Sequence, residues 1–187
     1  MAVAFVKNHT AATPIKAAGT TIAVNLSTIV PAGNTIIAGI LFDNAAVASK
    51  PVVSSIGVAA GETASWVFLG AARSTSTSAG AFASGELWAI RTTVAWPVAG
   101  YTATLDSSTV MKATQALEFS GLFALTRSTA GTNYSTTTTA ASATTTGTTP
   151  VIGDLAVGFM LRATPLLLPH QVSWRTGVSH PPTSASS

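Results

Sequence analysis

Residues 20–42 decide how the chain is read. They run Thr20-Thr-Ile-Ala-Val-Asn-Leu26, then Ser27-Thr-Ile-Val30, then Pro31-Ala-Gly-Asn34, then Thr35-Ile-Ile-Ala-Gly-Ile-Leu-Phe42. The first piece alternates and sets Ile22, Val24 and Leu26 on one face, as a half-buried strand requires. Pro31 to Asn34 has the chemistry of a turn. Thr35 to Phe42 is apolar throughout and about eight residues long, which suits a strand buried on both faces.

The same period of two continues outward. Val52 to Ile56 predicts a short strand after Pro51, Gly61-Glu62 a turn, and Ser65 to Gly70 a further strand. Arg73 to Ser84 is small and polar and reads as a loop. Glu86 to Val94 alternates, with Leu87 and Ala89 opposite Trp88 and Ile90, and Trp96-Pro97 closes it. Tyr101 to Leu105 predicts a compact strand with Asp106-Ser-Ser108 as its turn, and Lys112 to Leu122 predicts another. Between Ser108 and Phe119 some apolar residues approach helical spacing, but the Thr content and the Phe-Ser-Gly ending favour a strand. Short strands at this spacing predict an all-β fold, an antiparallel jelly-roll-like β-sandwich over residues 1–161. Within it, 127–150 is a Thr-rich loop or edge segment. Residues 162–187 are rich in Pro and lack alternation, so they predict an irregular, extended C-terminal tail. Pro31 to Phe42 aligns without gaps on Pro150 to Leu161, Gly39 falling with Gly158. A Gly inside a strand predicts a bulge or a close backbone approach.

Composition narrows the function. The chain has 187 residues, of which 47% are hydrophobic and only 8% charged, against about 25% charged in an average soluble protein. Thr is about one residue in six. So little charge excludes a solvating tail and a coiled coil. The formal charge is +3, but the nine cations, Lys7, Lys16, Lys50, Arg73, Arg91, Lys112, Arg127, Arg162 and Arg175, never cluster as phosphate binding needs. Nucleic acid is therefore not an expected partner. The longest apolar run, Ile36 to Phe42, is too short for a membrane helix, and the N-terminus does not read as a signal peptide. With no Cys there are no disulfides or zinc-thiolate sites.

The search for chemistry is mostly negative. His9, His170 and His180 lack metal-ligand spacing and read as surface or loop residues. Asp43, Asp106 and Asp154 read as turn or strand-end residues bonding the local backbone. Glu86 and Glu118 lie in strands and are expected to face outward, although a carboxylate pair for glycoside hydrolysis is conceivable in principle. Ser and Thr abound, but nothing in the sequence supplies a base and an orienting acid for a nucleophile. No cofactor is expected. Trp66, Trp88, Trp96 and Tyr101 form either part of the core or an aromatic platform for sugars, the latter making a carbohydrate-binding or adhesin module.

Six stretches between Thr20 and Leu161 carry a resemblance. They are Thr-Thr-Ile-Ala-Val with Pro-Ala-Gly-Asn-Thr-Ile-Ile-Ala-Gly-Ile, Ser-Trp-Val-Phe-Leu, Glu-Leu-Trp-Ala-Ile, Ala-Leu-Glu-Phe-Ser-Gly-Leu and Gly-Asp-Leu-Ala-Val-Gly-Phe-Met. In pattern and order the chain resembles the β-sandwich virion structural proteins, often minor tail proteins, of tailed bacteriophages. The resemblance implies a non-enzymatic virion protein, on capsid or tail, and carries over no catalytic residue. That family usually adds strands after Gly-Asp-Leu, where this chain turns Pro-rich. The expectation is that another subunit completes the sandwich or that this copy is shortened. Partners would then be other virion proteins and further copies of the chain. The expected interface residues are Phe5 and Val6 at the start and Leu166, Leu167, Leu168 and Trp174 in the tail, because no regular strand buries them.

Overall fold

The computed structural model describes residues 3–9, 15–43, 51–72 and 83–121. These form seven strands: β1 (Ala4–Asn8), β2 (Ile15–Val24), β3 (Thr35–Asp43), β4 (Val53–Ile56), β5 (Val67–Ala72), β6 (Ala83–Arg91) and β7 (Tyr101–Ser120). Every pairing is antiparallel, and the described residues contain no helix. The all-β reading therefore stands. The second copy of the Pro-Gly echo, the Thr-rich segment and the tail lie outside the described residues.

β7 organises the molecule. Its first half pairs with β2 on one edge, Tyr101 opposite Val24, and with β4 on the other, Leu105 opposite Val53. Its second half pairs with β1, Ser120 opposite Ala4, and with β3, which runs from Lys112 opposite Phe42 to Phe119 opposite Thr35. β3 continues into β6 and β6 into β5. Two layers thus share one strand, and they face each other. Ile22, Val53, Ala103 and Leu105 of the first layer pack with Ile40 and Phe42 of the second. Val24 and Tyr101 pack with Ile36, Ala38, Ile90 and Ala116. This is a β-sandwich-like arrangement in which the alternation of Ile22, Val24 and Leu26 buries that face as expected.

The expected break at Asp106 does not occur. β7 runs unbroken for 20 residues, and no Gly or Pro interrupts it. Asp106 does not close a local turn. Its carboxylate accepts from the backbone N–H of Val52 at 3.0 Å, and its own N–H donates to Val52 O at 3.0 Å. The change of partners along β7 is accommodated instead in β2, whose register shifts on both sides of Gly19. Lys112 secures that irregularity. Its Nζ donates to Ala17 O, Gly19 O and Thr109 O at 2.8, 2.9 and 3.4 Å. A buried ammonium with three carbonyl acceptors has every proton used.

β3 is buried along its whole length. Ile36, Ala38, Ile40 and Phe42 face the inter-layer core. On its other face Ile37 joins Leu87, Ala89, Leu117 and Phe119, with Val3 and Leu69 packed against them. The register passes regularly through Gly39, so that glycine marks no bulge. β6 starts earlier than expected, at Ala83, and Ser84 lies inside it; the strand ends at Arg91. Trp96 makes an isolated bridge to Val30.

Candidate functional site

Three loops meet at one end of the sandwich: residues 25–34, 57–66 and 92–100. Two of them end in related turns. Pro31-Ala-Gly-Asn34 closes by Asn34 N–H to Pro31 O at 3.3 Å, with Gly33 at φ +89°. Pro97-Val-Ala-Gly100 closes by Gly100 N–H to Pro97 O at 3.0 Å, with Gly100 at φ +64°. Both glycines occupy the left-handed region that side chains disfavour. Val30 and Trp96 exchange backbone bonds of 3.1 and 2.9 Å between the loops, and Leu26 N–H donates to Val98 O at 2.9 Å. Thr92 Oγ1 lies 2.9 Å from Pro31 O and 3.0 Å from Asn34 O. Gly57 N–H holds the third loop to Thr102 O at 2.9 Å.

Glu62 is the fastener of this end. Its carboxylate accepts from Trp96 Nε1 at 2.7 Å, from Ala64 N–H at 2.9 Å, and from the N–H and hydroxyl of Thr93. Desolvation pushes its pKa up, but the donors from Thr93, Trp96 and Ala64 outweigh it and hold the carboxyl at about 2, against an ordinary 4.5. The folded-state value is the lower one. Its contribution to stability is therefore full above the ordinary value and lost as pH falls through about 2. Asp106 acts in the same direction, mainly through Val52 N–H. The thermal midpoint should fall between pH 5 and pH 2.5, and Glu62→Gln should fall less over the same interval; parallel curves for the two proteins would contradict this role.

These loops expose several apolar side chains. Ile29 is 62% exposed, Val98 51% and Val58 46%. Pro31, Ala32, Ala95, Pro97 and Ala99 are also exposed. The three loops contain one charged residue, the half-buried Glu62, whose oxygens are engaged, and the exposed Arg91 at the end of β6 donates from Nε to Gly33 O at 3.4 Å.

A buried polar chain runs beside the same end. Ser27 Oγ lies 3.3 Å from His9 Nδ1, and His9 Nε2 donates to Glu118 Oε2 at 2.8 Å. Asn34 Nδ2 donates to the other oxygen, Oε1, at 2.5 Å. The His9 side chain is fully covered, whereas Ser27 is exposed. His9 is thus not a surface residue. Its own N–H donates to Ala116 O at 2.9 Å, which fixes it where β1 leaves the sheet.

Glu86 and Glu118 do not face outward; each is 2% exposed. Glu86 accepts from Val53 N–H at 3.2 Å and from Trp88 Nε1 at 2.9 Å, tying β6 to β4. Their backbone positions flank β3 at Ile40 and Ile36. Four residues along and two strands across place them about 16 Å apart, and their carboxylates serve separate partners. Asp43 accepts from Val110 N–H at 3.0 Å, again far away in sequence. Each of the five described acids, Asp43, Glu62, Glu86, Asp106 and Glu118, ties together distant parts of the chain.

The aromatic residues divide. Trp96 and Tyr101 are buried, and Trp66 and Trp88 are half-buried against the core. Trp66–Trp96, Trp66–Tyr101 and Trp96–Tyr101 meet edge to face at 80°, 60° and 67°. Trp88 meets Phe68 at 61°. None of these pairs offers the coplanar rings a sugar platform uses. Burial pushes the Tyr101 phenol far up.

Phe5 and Val6 lie on β1 and are 52% and 48% exposed. β1 is an edge strand among the described residues, and Phe5 packs edge to face on Phe119. Leu166, Leu167, Leu168 and Trp174 lie outside the described residues. The sequence reading missed Ile29, Val58 and Val98. Their signal was present, because each is a branched apolar residue in a segment bounded by Gly or Pro rather than in an alternating run. Compared with family models, curated proteins and solved structures, the chain matches none.

Proposed function

We propose that the protein is a structural component of a bacteriophage virion that works by packing against further copies of itself and against capsid or tail proteins. The finer fold within this reading is a jelly-roll-like sandwich with a Pro-rich, irregular C-terminal tail. The observation that carries it is the exposure of the apolar residues Ile29, Val58 and Val98 on the loop end, whose loops Glu62 and Trp96 tie together. Interface cores are depleted of charge and gain most from surfaces already ordered before contact. The exposed Phe5 and Val6 on the β1 edge support the same reading, since an open edge with apolar side chains can accept a neighbouring strand.

The test is incorporation. Particles carrying Ile29→Ser with Val98→Ser should contain the protein at less than half its normal copy number, with the purified variant melting as the parent does. Normal copy number in those particles would refute the end face as the contact.

A further inference from the structure

The geometry points to a serine nucleophile site at Ser27, with His9 as its base and Glu118 as the residue that orients the base, acting on neutral acyl esters. This does not rest on the assembly reading and holds for a single copy of the chain. The sequence alone brings no base and orienting acid together at Ser27. The fold supplies both, from positions 18 and 109 residues apart.

Each role follows from an observed contact. Glu118 presents acceptors to both neighbours, one oxygen to Asn34 Nδ2 at 2.5 Å and one to His9 Nε2 at 2.8 Å. A carboxylate only accepts, so in the neutral imidazole the proton sits on Nε2 and the Nδ1 lone pair faces Ser27. Ser27 Oγ lies 3.3 Å from that lone pair, and nucleophile–base contacts are often this loose before substrate binds. The ring is turned relative to the serine-protease arrangement, in which Nε2 faces the serine and Nδ1 the acid. The proton relay requires only that the two nitrogens face opposite partners. The base is shielded from solvent and the nucleophile is not. Asn34 fixes the acid from a turn that Thr92 anchors.

The chemistry balances without a cofactor. Ser27 Oγ adds to the ester carbonyl as its proton passes to His9 Nδ1. The acyl C–O bond breaks, and the leaving alcohol takes that proton from His9. Water then attacks the acyl-serine with the same base, releasing the acid and restoring the hydroxyl. The surroundings set the substrate class. Ile29 is two residues away and exposed, and the charged groups on these loops, Glu62 and Arg91, are already engaged with Trp96 and with Gly33 O, so an uncharged ester fits the apolar side chain.

The test uses the purified full chain, a fluorophosphonate probe and p-nitrophenyl acetate. The probe should label Ser27, located by peptide mass spectrometry. Ser27→Ala, an exposed change that leaves the fold intact by its melting curve, should abolish that label and bring ester hydrolysis to background. Glu118→Gln offers an amide N–H to His9 and reverses the tautomer. It should lower kcat by roughly a hundredfold or more with KM little changed, and Glu118→Asp should restore part of the rate. A parent chain that takes up no label, label on another residue, or a Ser27→Ala chain that hydrolyses the ester at the parent rate overturns the proposal.

Discussion

Trp96→Ala is expected to destabilise the protein by about 3–5 kcal/mol, the usual cost of deleting a fully buried aromatic side chain. Trp96 is 0% exposed and sits where both layers meet, in one cluster with Val24, Val30, Ile36 and Ile90. Its ring supports Trp66 and Tyr101 edge to face at centroid distances of 5.7 and 6.2 Å. Its Nε1 donates to Glu62 at 2.7 Å. Truncation therefore opens a cavity, removes the partner of two rings and leaves Glu62 short of a donor. Trp96→Phe separates these effects, since it keeps most of the packing and loses only the N–H. The loss on Trp96→Phe should be well under half that on Trp96→Ala, read from denaturant midpoints with unchanged slope. Equal losses would assign the stability to the hydrogen bond rather than to packing.

Gly100→Ala should be nearly as damaging although it adds a single methyl group. A Cβ at this position would lie 1.9 Å from Val24 O and 3.0 Å from Val24 C, both backbone atoms that cannot rotate away. Gly100 also sits at φ +64°. The left-handed conformation costs an L-residue about 1–2 kcal/mol, and forced movement of packed backbone adds about 1–3 kcal/mol. The predicted loss is roughly 3 kcal/mol, with the Tyr101–Val24 pairing the first element to suffer. Gly33→Ala is the control. It carries the φ penalty alone, because nothing lies within 4 Å of its would-be Cβ. A Gly100→Ala loss no larger than that of Gly33→Ala would contradict the close approach of the two strands.

The contrast between these two glycines shows what the sequence could and could not disclose. Pro31 to Asn34 reads as a turn from local chemistry alone and is one, while Pro97, read only as the end of a strand, opens a second turn that closes at Gly100. The close approach of Val24 to Gly100 depends on a pairing 76 residues apart and left no local mark. The alternating run 20–26 and the apolar run 35–42 were legible because burial imposes period two, or no period, on the residues themselves. The Asp106 break was misread for a related reason. Asp-Ser-Ser is good turn chemistry, yet the acceptor is used by Val52, from the segment that leads into β4. The absence of Gly and Pro across 101–120 was the better guide.

The acids were misplaced because the sheet is covered on both sides. Glu118 alternates with Leu117 and Phe119, and Glu86 with Leu87, so the apolar partner face looked like the only interior. In fact Ile37, Leu117 and Phe119 are buried on one side of the sheet, and Ile36 and Ala116 on the other. A carboxylate survives there only with donors, and those donors, His9, Asn34, Val53 and Trp88, come mostly from distant segments. The low charge of the chain thus has a second meaning. Its few described acids work as internal fasteners.

Light scattering of the purified full chain across a concentration series tests the central claim most directly. The account predicts a mass that rises above that of one 18.8 kDa chain and falls back to it in the Ile29→Ser, Val98→Ser protein, with the melting curve unchanged. A single-chain mass for the parent at every concentration, or full assembly by the double variant, would contradict packing through the end face.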